Sequence, residues 1–154
     1  MNISWDQYFI GIACEVAKRS TCDRARVGAV LVRDRNIIAT GYNGSPRGLA
    51  HCDDIGHLMR DDHCIRTVHA EQNAIIQAAV NGVSTVGSTM YVTHFPCLHC
   101  SKTLINARVV RVVFQRDYPD LEADRMLRAA NIEVSTPKLD KQYWSCYNPH
   151  LDPL

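Results

Sequence analysis

His69 and Glu71 stand two positions apart in "HAEQNAI" (69–75), and Cys97 and Cys100 stand three apart in "PCLHC" (96–100). Two thiols at Cys-x-x-Cys spacing converge on one tetrahedral ion when they sit where a loop enters a helix. The exposed N–H groups and positive dipole of such a helix end also favour the thiolate. The same spacing serves redox dithiols and closed structural zinc sites, so the pair alone leaves its chemistry open. His69 and Glu71 have an ordinary reading too, because a carboxylate in the first turn of a helix is stabilised by the dipole. An imidazole, a carboxylate and two thiols are together the parts of a metal centre with an acid–base group beside it.

The elements that must position these residues can be read from hydrophobic spacing. Apolar residues after His69 recur at helical intervals and Gly82 makes a stop, which predicts a helix over 70–81. A second helix near 98–107 carries the Cys-x-x-Cys at its start. Tyr8, Phe9, Ile12, Ala13 and Val16 mark an amphipathic helix at 5–19. The short apolar runs 27–34 and 36–43, with Asp34 and Arg35 between them, predict a β-hairpin. Strands at 89–94, 109–115 and 132–136 alternate with helices, 121–131 being the last. That order predicts a three-layer α/β/α sandwich around a mixed sheet of about five strands. Residues 44–68 are polar and rich in His and Cys; they are expected to form a long functional loop with one helical turn. One domain is expected over residues 1–140, with 141–154 as a C-terminal tail.

Composition narrows the partners. A formal net charge of +1 and the lack of a long basic run argue against a polymeric nucleic acid, leaving room for a small anionic ligand. No apolar stretch reaches membrane-spanning length, and the opening residues lack the features of a signal peptide. A cytoplasmic protein is therefore expected. Seven cysteines, an odd number, then read as metal ligands or buried thiols rather than as a disulfide framework. Cys14 falls on the core side of the first helix, Cys146 has no assigned role, and His99 reads as a solvent-facing residue within its motif.

His-x-Glu followed by Pro-Cys-x-x-Cys resembles the signature of the zinc nucleobase deaminases. The resemblance extends beyond the zinc motifs to "STCDRARVGAV" (20–30), "GYNGSPRG" (41–48), "STMYVTHFPCLHC" (88–100) and "NIEV" (131–134). In order and spacing these segments resemble the deoxycytidylate (dCMP) deaminases of the cytidine deaminase-like superfamily. What this implies is a catalytic zinc held by His69, Cys97 and Cys100, with the fourth position open to water. It also implies Glu71 as the proton shuttle, and hydrolysis of dCMP to dUMP and ammonia for thymidylate synthesis. Zinc lowers the pKa of such a water towards neutrality, which supplies the nucleophile.

The resemblance further implies Asn43 near the sugar and Arg26 near the 5′-phosphate, with Arg24, Ser20 and Thr21 as alternatives for the phosphate. Ala70 and Tyr118 would be substrate contacts, Tyr118 covering the base. Many members of the family are homo-oligomers, hexamers among them, activated by dCTP and inhibited by dTTP with Mg2+. By the same resemblance Tyr42 and Gly44 are candidates for the effector site. Some phage relatives carry a second, structural zinc, for which Cys22, Cys52 and His63 fit, the fourth ligand lying between His57 and Cys64. Other readings are deamination of another cytosine nucleoside or nucleotide, of tRNA adenosine, or a metal-stabilised interaction module without catalysis. The near-neutral charge argues against tRNA, and Glu71 beside an open three-ligand site argues against the module.

Overall fold

The computed structural model describes residues 2–117 and 120–138. Its first element, α1 (Trp5–Ala17), begins at a reciprocal cap: the Ser4 hydroxyl accepts from the Gln7 amide, and the Gln7 carboxamide accepts from the Ser4 amide. The helix buries Phe9, Ile10, Ala13, Cys14 and Ala17. β1 (Gly28–Arg33) and β2 (Asn36–Tyr42) follow as the expected hairpin. Its turn places Asp34 and Arg35 at φ of 52° and 61°, the left-handed pair that matches the twist of two-residue hairpins.

Beyond the segment that leads to the site come α3 (Ala70–Val80), β5 (Thr89–His94), α4 (Leu98–Asn106), β6 (Arg111–Arg116), α5 (Leu121–Ala129) and β7 (Glu133–Ser135). Five strands form one mixed sheet in the order β2-β1-β5-β6-β7, antiparallel on the β2 side and parallel from β5 to β7. Successive strand residues alternate faces, and both faces are apolar. Val30, Val32, Tyr91 and Val113 meet α1, while Ala29, Leu31, Met90, Val92 and Val112 share the core of the opposite face with residues of α3, α4 and α5. The three-layer α/β/α sandwich expected from the sequence is what forms, with the shared element limits within two residues of their predicted positions.

Residues 44–68 depart from the expectation of a loop with one turn. α2 (Cys52–Ile55) is the turn, but β3 (Met59–Arg60) and β4 (His63–Cys64) add a small hairpin. Asp61 and Asp62, at φ of 49° and 62°, close it. Strands of two residues are too short to show a hydrophobic period, which is why the hairpin is invisible to pattern reading. A bridge between Gly44 and Val68 ties both ends of the segment together. Among the described residues no helix is long and apolar enough to cross a membrane. Tyr118 and the tail assigned to 141–154 lie outside the described residues.

Candidate active site

His69 is the residue that caps the start of α3, and Cys97 holds the same place on α4 with Cys100 in the first turn. The two helix starts meet because each is anchored to the sheet. Gly41 lets α3 touch β2: a Cβ at Gly41 would collide with the Ala70 carbonyl and the Ala74 amide. Asn73 donates to the Tyr42 carbonyl at 2.8 Å and fixes the helix along the strand. On the other side, the Phe95 amide donates to the Arg116 carbonyl at 2.8 Å, holding the turn that follows β5.

The result is a three-donor cluster. His69 Nδ1 lies 3.5 Å from Cys97 Sγ and 3.3 Å from Cys100 Sγ, and all three donors lie within 4.8 Å of one another. Zinc bonded at its usual lengths to nitrogen and sulfur would give N···S edges of about 3.5 Å and S···S edges of about 3.8 Å. The donor set and its two N···S separations thus fit zinc. Hydrogen bonding from Cys100, with a further contribution from His69, brings the Cys97 thiol down to about 4 against the opposing effect of burial. The hydrogen bond to Cys97 in turn lifts His69 above its ordinary value. Glu71 is 5% exposed, and burial pushes its carboxyl above the usual carboxylate range. His69 draws it the other way, since a positive neighbour favours the carboxylate.

A family model described as the cytidine and deoxycytidylate deaminase zinc-binding region matches residues 3–116. The chain belongs to the cytidine and deoxycytidylate deaminase family. It is an enzyme of that zinc-binding class, as its sequence resemblance implied. The chain is 48% identical over 141 residues to ComE operon protein 2 of Bacillus subtilis, covering 91% of this chain and 75% of that protein. It is 38% identical to the deoxycytidylate deaminase of Mycobacterium phage D29, covering 73% of this chain and 95% of the relative. Among solved structures, the dCMP deaminase of cyanophage S-TIM5 in complex with dCMP and dUMP superimposes with a TM-score of 0.78. That enzyme is 30% identical, with 89% of this chain and 99% of its own covered.

Within this deaminase fold the other candidate residues divide into groups. Asn43 is buried, and its side chain bonds the main chain: Oδ1 accepts from the Val27 amide at 2.8 Å and Nδ2 donates to the Ala25 carbonyl at 2.7 Å. Its own carbonyl accepts from Ser20 Oγ and from the Thr21 amide. Asn43 therefore braces the segment that carries Arg26, whose guanidinium donates to the Ser20 carbonyl at 3.2 Å. Ala70 is fully buried between His69 and Glu71. Tyr42 ends β2, and Gly44 lies in the bridge to Val68, one residue from the candidate metal ligand His69.

A second group gathers Cys22, Cys52, His57 and Cys64 within 4.8 Å. Cys52 Sγ lies 3.6 Å from Cys64 Sγ, and Cys22 Sγ 3.5 Å from His57 Nδ1, again close to tetrahedral edges. His57 Nε2 meets Asp23 at 3.1 Å, the kind of carboxylate partner that orients a metal-binding imidazole. Burial acts against it, but the amides of Arg66 and Leu58 and the imidazole of His57 bring the Cys64 thiol down to about 6. Burial first, and then its thiol neighbours, push Cys52 up to about 12. His63, expected among these ligands, is exposed and stands outside the group. Neighbouring strand residues face opposite ways, so the β3–β4 hairpin that turns Cys64 inward turns His63 out. Asp23 was missed by sequence reading; its one signal is adjacency to Cys22. Among the described residues these two groups are the only clusters of three or more such donors.

Proposed function

We propose that the chain is a zinc-dependent deoxycytidylate deaminase, converting dCMP and water to dUMP and ammonia for thymidylate synthesis. The observation that carries this reading is Glu71, a buried carboxyl two residues from His69 beside a donor set with three protein ligands. The choice of dCMP is supported by the names of the phage relatives. When bound by His69, Cys97 and Cys100, zinc supplies Lewis-acid activation of water at its remaining tetrahedral position. Glu71 accepts a proton from water and delivers it to N3 of the cytosine ring. The water oxygen bonds C4, and Glu71 then moves the proton of the new C4 hydroxyl to the amino group. That group leaves as ammonia while the C4 carbonyl of uracil forms, so that one buried carboxyl serves as base and then acid. Its enclosed place keeps bulk water off the carboxyl during the transfer. Ala70, between ligand and shuttle, is assigned to the substrate, and Tyr118 to cover the base. Arg26 is suited to a charge-assisted contact with the 5′-phosphate, its segment held in place by Asn43 on the sugar side.

The second donor group supports a structural zinc held by Cys22, Cys52, His57 and Cys64. Four protein ligands close a site, and this one would pin residues 52–64 to the Cys22 segment, where little apolar core exists. Two thiolate sites suit a reducing, cytoplasmic setting. The deaminase domain is taken as residues 1–140, assembled as a homo-oligomer, with dCTP activating and dTTP inhibiting in the presence of Mg2+ near Tyr42 and Gly44.

Ammonia release measured with dCMP, dCTP, cytidine and a tRNA anticodon stem-loop tests the substrate. Turnover confined to dCMP is expected, and preferred release from any of the other three overturns the assignment. Metal analysis is expected to give two zinc ions per chain, falling to one in Cys64→Ser and staying at two in His63→Ser. One zinc in the unaltered protein rejects the structural site. Activity unchanged across added dCTP and dTTP rejects the regulation.

A further inference from the structure

The turn that carries both cysteine ligands is not capped by its own residue. Cys97 occupies the N-cap position of α4, where Ser, Thr, Asp or Asn would ordinarily supply an oxygen to the first free amides. Its side chain makes no such bond and is directed at His69. The oxygen comes instead from the next crossover. Asp120 Oδ2 accepts from the Leu98 amide at 2.9 Å, while Asp120 Oδ1 accepts from the Ala123 amide at 3.0 Å. One carboxylate thus closes the start of α4 and the start of α5, with its negative charge at the positive ends of two helices.

We infer that Asp120 is a positioning residue for the metal centre, holding Cys97 and Cys100 in register with His69. The inference rests on the zinc reading above. Three features make the restraint specific. Leu98 lies between the two cysteines, so its amide is part of the turn that sets their separation. The Phe95–Arg116 hydrogen bond holds the other side of Pro96, so residues 95–98 are tied at one end to the last residue of β6 and at the other to the N-cap of α5. His69 arrives on a different helix, so fraying of α4 changes the distances from both sulfurs to Nδ1 at once. Partners that orient metal ligands from outside the coordination sphere typically account for ten- to hundredfold in affinity.

The test challenges the zinc-loaded full-length protein with rising EDTA, then alkylates free thiols with iodoacetamide and maps the modified peptides, which reads Cys97 and Cys100 separately from the second group. In Asp120→Ala the EDTA concentration at half-modification is expected to fall by about tenfold or more. Asp120→Asn, which keeps one oxygen acceptor in place of two, falls between that variant and the unaltered protein. Ala123→Gly weakens α5 without touching the Leu98 bond, and is expected to lose thermal stability while keeping the unaltered EDTA midpoint. An unshifted midpoint in Asp120→Ala, or an equal shift in Ala123→Gly, overturns the inference. If Cys97 and Cys100 of the unaltered protein are modified equally fast with and without zinc, the metal reading itself falls and takes this one with it.

Discussion

Glu71 carries a carboxyl where water scarcely reaches, and an isolated buried charge is costly. Nothing in core packing calls for a glutamate there; Ala70 and Ala74 on either side fill the interior without polar atoms. Its place beside His69 suits the proton transfer proposed for it. Glu71→Gln keeps the volume and removes the transferable proton. Turnover on dCMP is expected to fall by about a thousandfold or more, within the range for losing a positioned acid–base group. Zinc content is expected to stay as in the unaltered protein. Near-normal ammonia release with zinc retained would remove Glu71 from the mechanism. Asn43 teaches a different lesson at the same scale. The family resemblance sets it near the sugar, and in the fold its amide also bonds the main chain at 25 and 27, with one donor and one acceptor position to spare.

At the scale of the element, the site depends on how closely α3 can approach β2. Gly41 is the point of contact, with the carbonyl of Ala70 and the amide of Ala74 standing where a side chain would be. Backbone atoms cannot rotate away as a flexible side chain would. Gly41→Ala is therefore expected to cost about 3 kcal/mol, the upper part of the usual range for overpacking. Because the displaced residue is adjacent to His69, zinc affinity should fall with stability. Urea denaturation together with zinc titration checks this, and a variant as stable as the parent would show that the helix can shift freely. The glycine is visible in the sequence, but as a turn or strand-end residue. Its actual reason, a helix crossing the strand, belongs to residues some thirty positions further on.

At the scale of the molecule, the described residues cover one face of the sheet with three helices and the other with α1. A polar cluster fastens α1 down. Arg111 on β6 grips both oxygens of Asp6 at 2.8 Å, Tyr91 on β5 donates to Asp6 at 2.8 Å, and Arg111 reaches Glu133 and Ser135 on β7. The Arg111 hydrogen bond, despite opposing burial, lowers the Asp6 carboxyl below its ordinary 3.8. A carboxyl depressed in the folded state contributes stability that is present above its unfolded pKa and lost as pH falls through the folded one. Asp6→Asn is accordingly expected to cost about 1–2 kcal/mol at neutral pH. The gap should narrow as pH drops below about 4, because both proteins then lack the charge. Comparing the two proteins by denaturant unfolding at each pH cancels the loss of metal in acid. A gap that does not change with pH would mean the Asp6 charge plays no part.

Much of this protein was legible before folding. Strands and helices followed from period, because each buries a face set by its own neighbours in sequence. The donors that cluster at the two helix starts followed from type and offset, because His69 with Glu71, and Cys97 with Cys100, are each held by a single helix start. Residues 44–68 were not legible to the same degree. Their candidate metal donors come from short segments whose directions depend on one another, so grouping Cys64 rather than His63 with Cys22 and Cys52 required the hairpin to be built. Asp120 shows the same limit. Its sequence marks it as a cap for α5, and only the packing of two crossovers lets its second oxygen reach the amide between the two cysteines. Local order determined which atoms this chain has for its chemistry, and tertiary contact decided which of them meet.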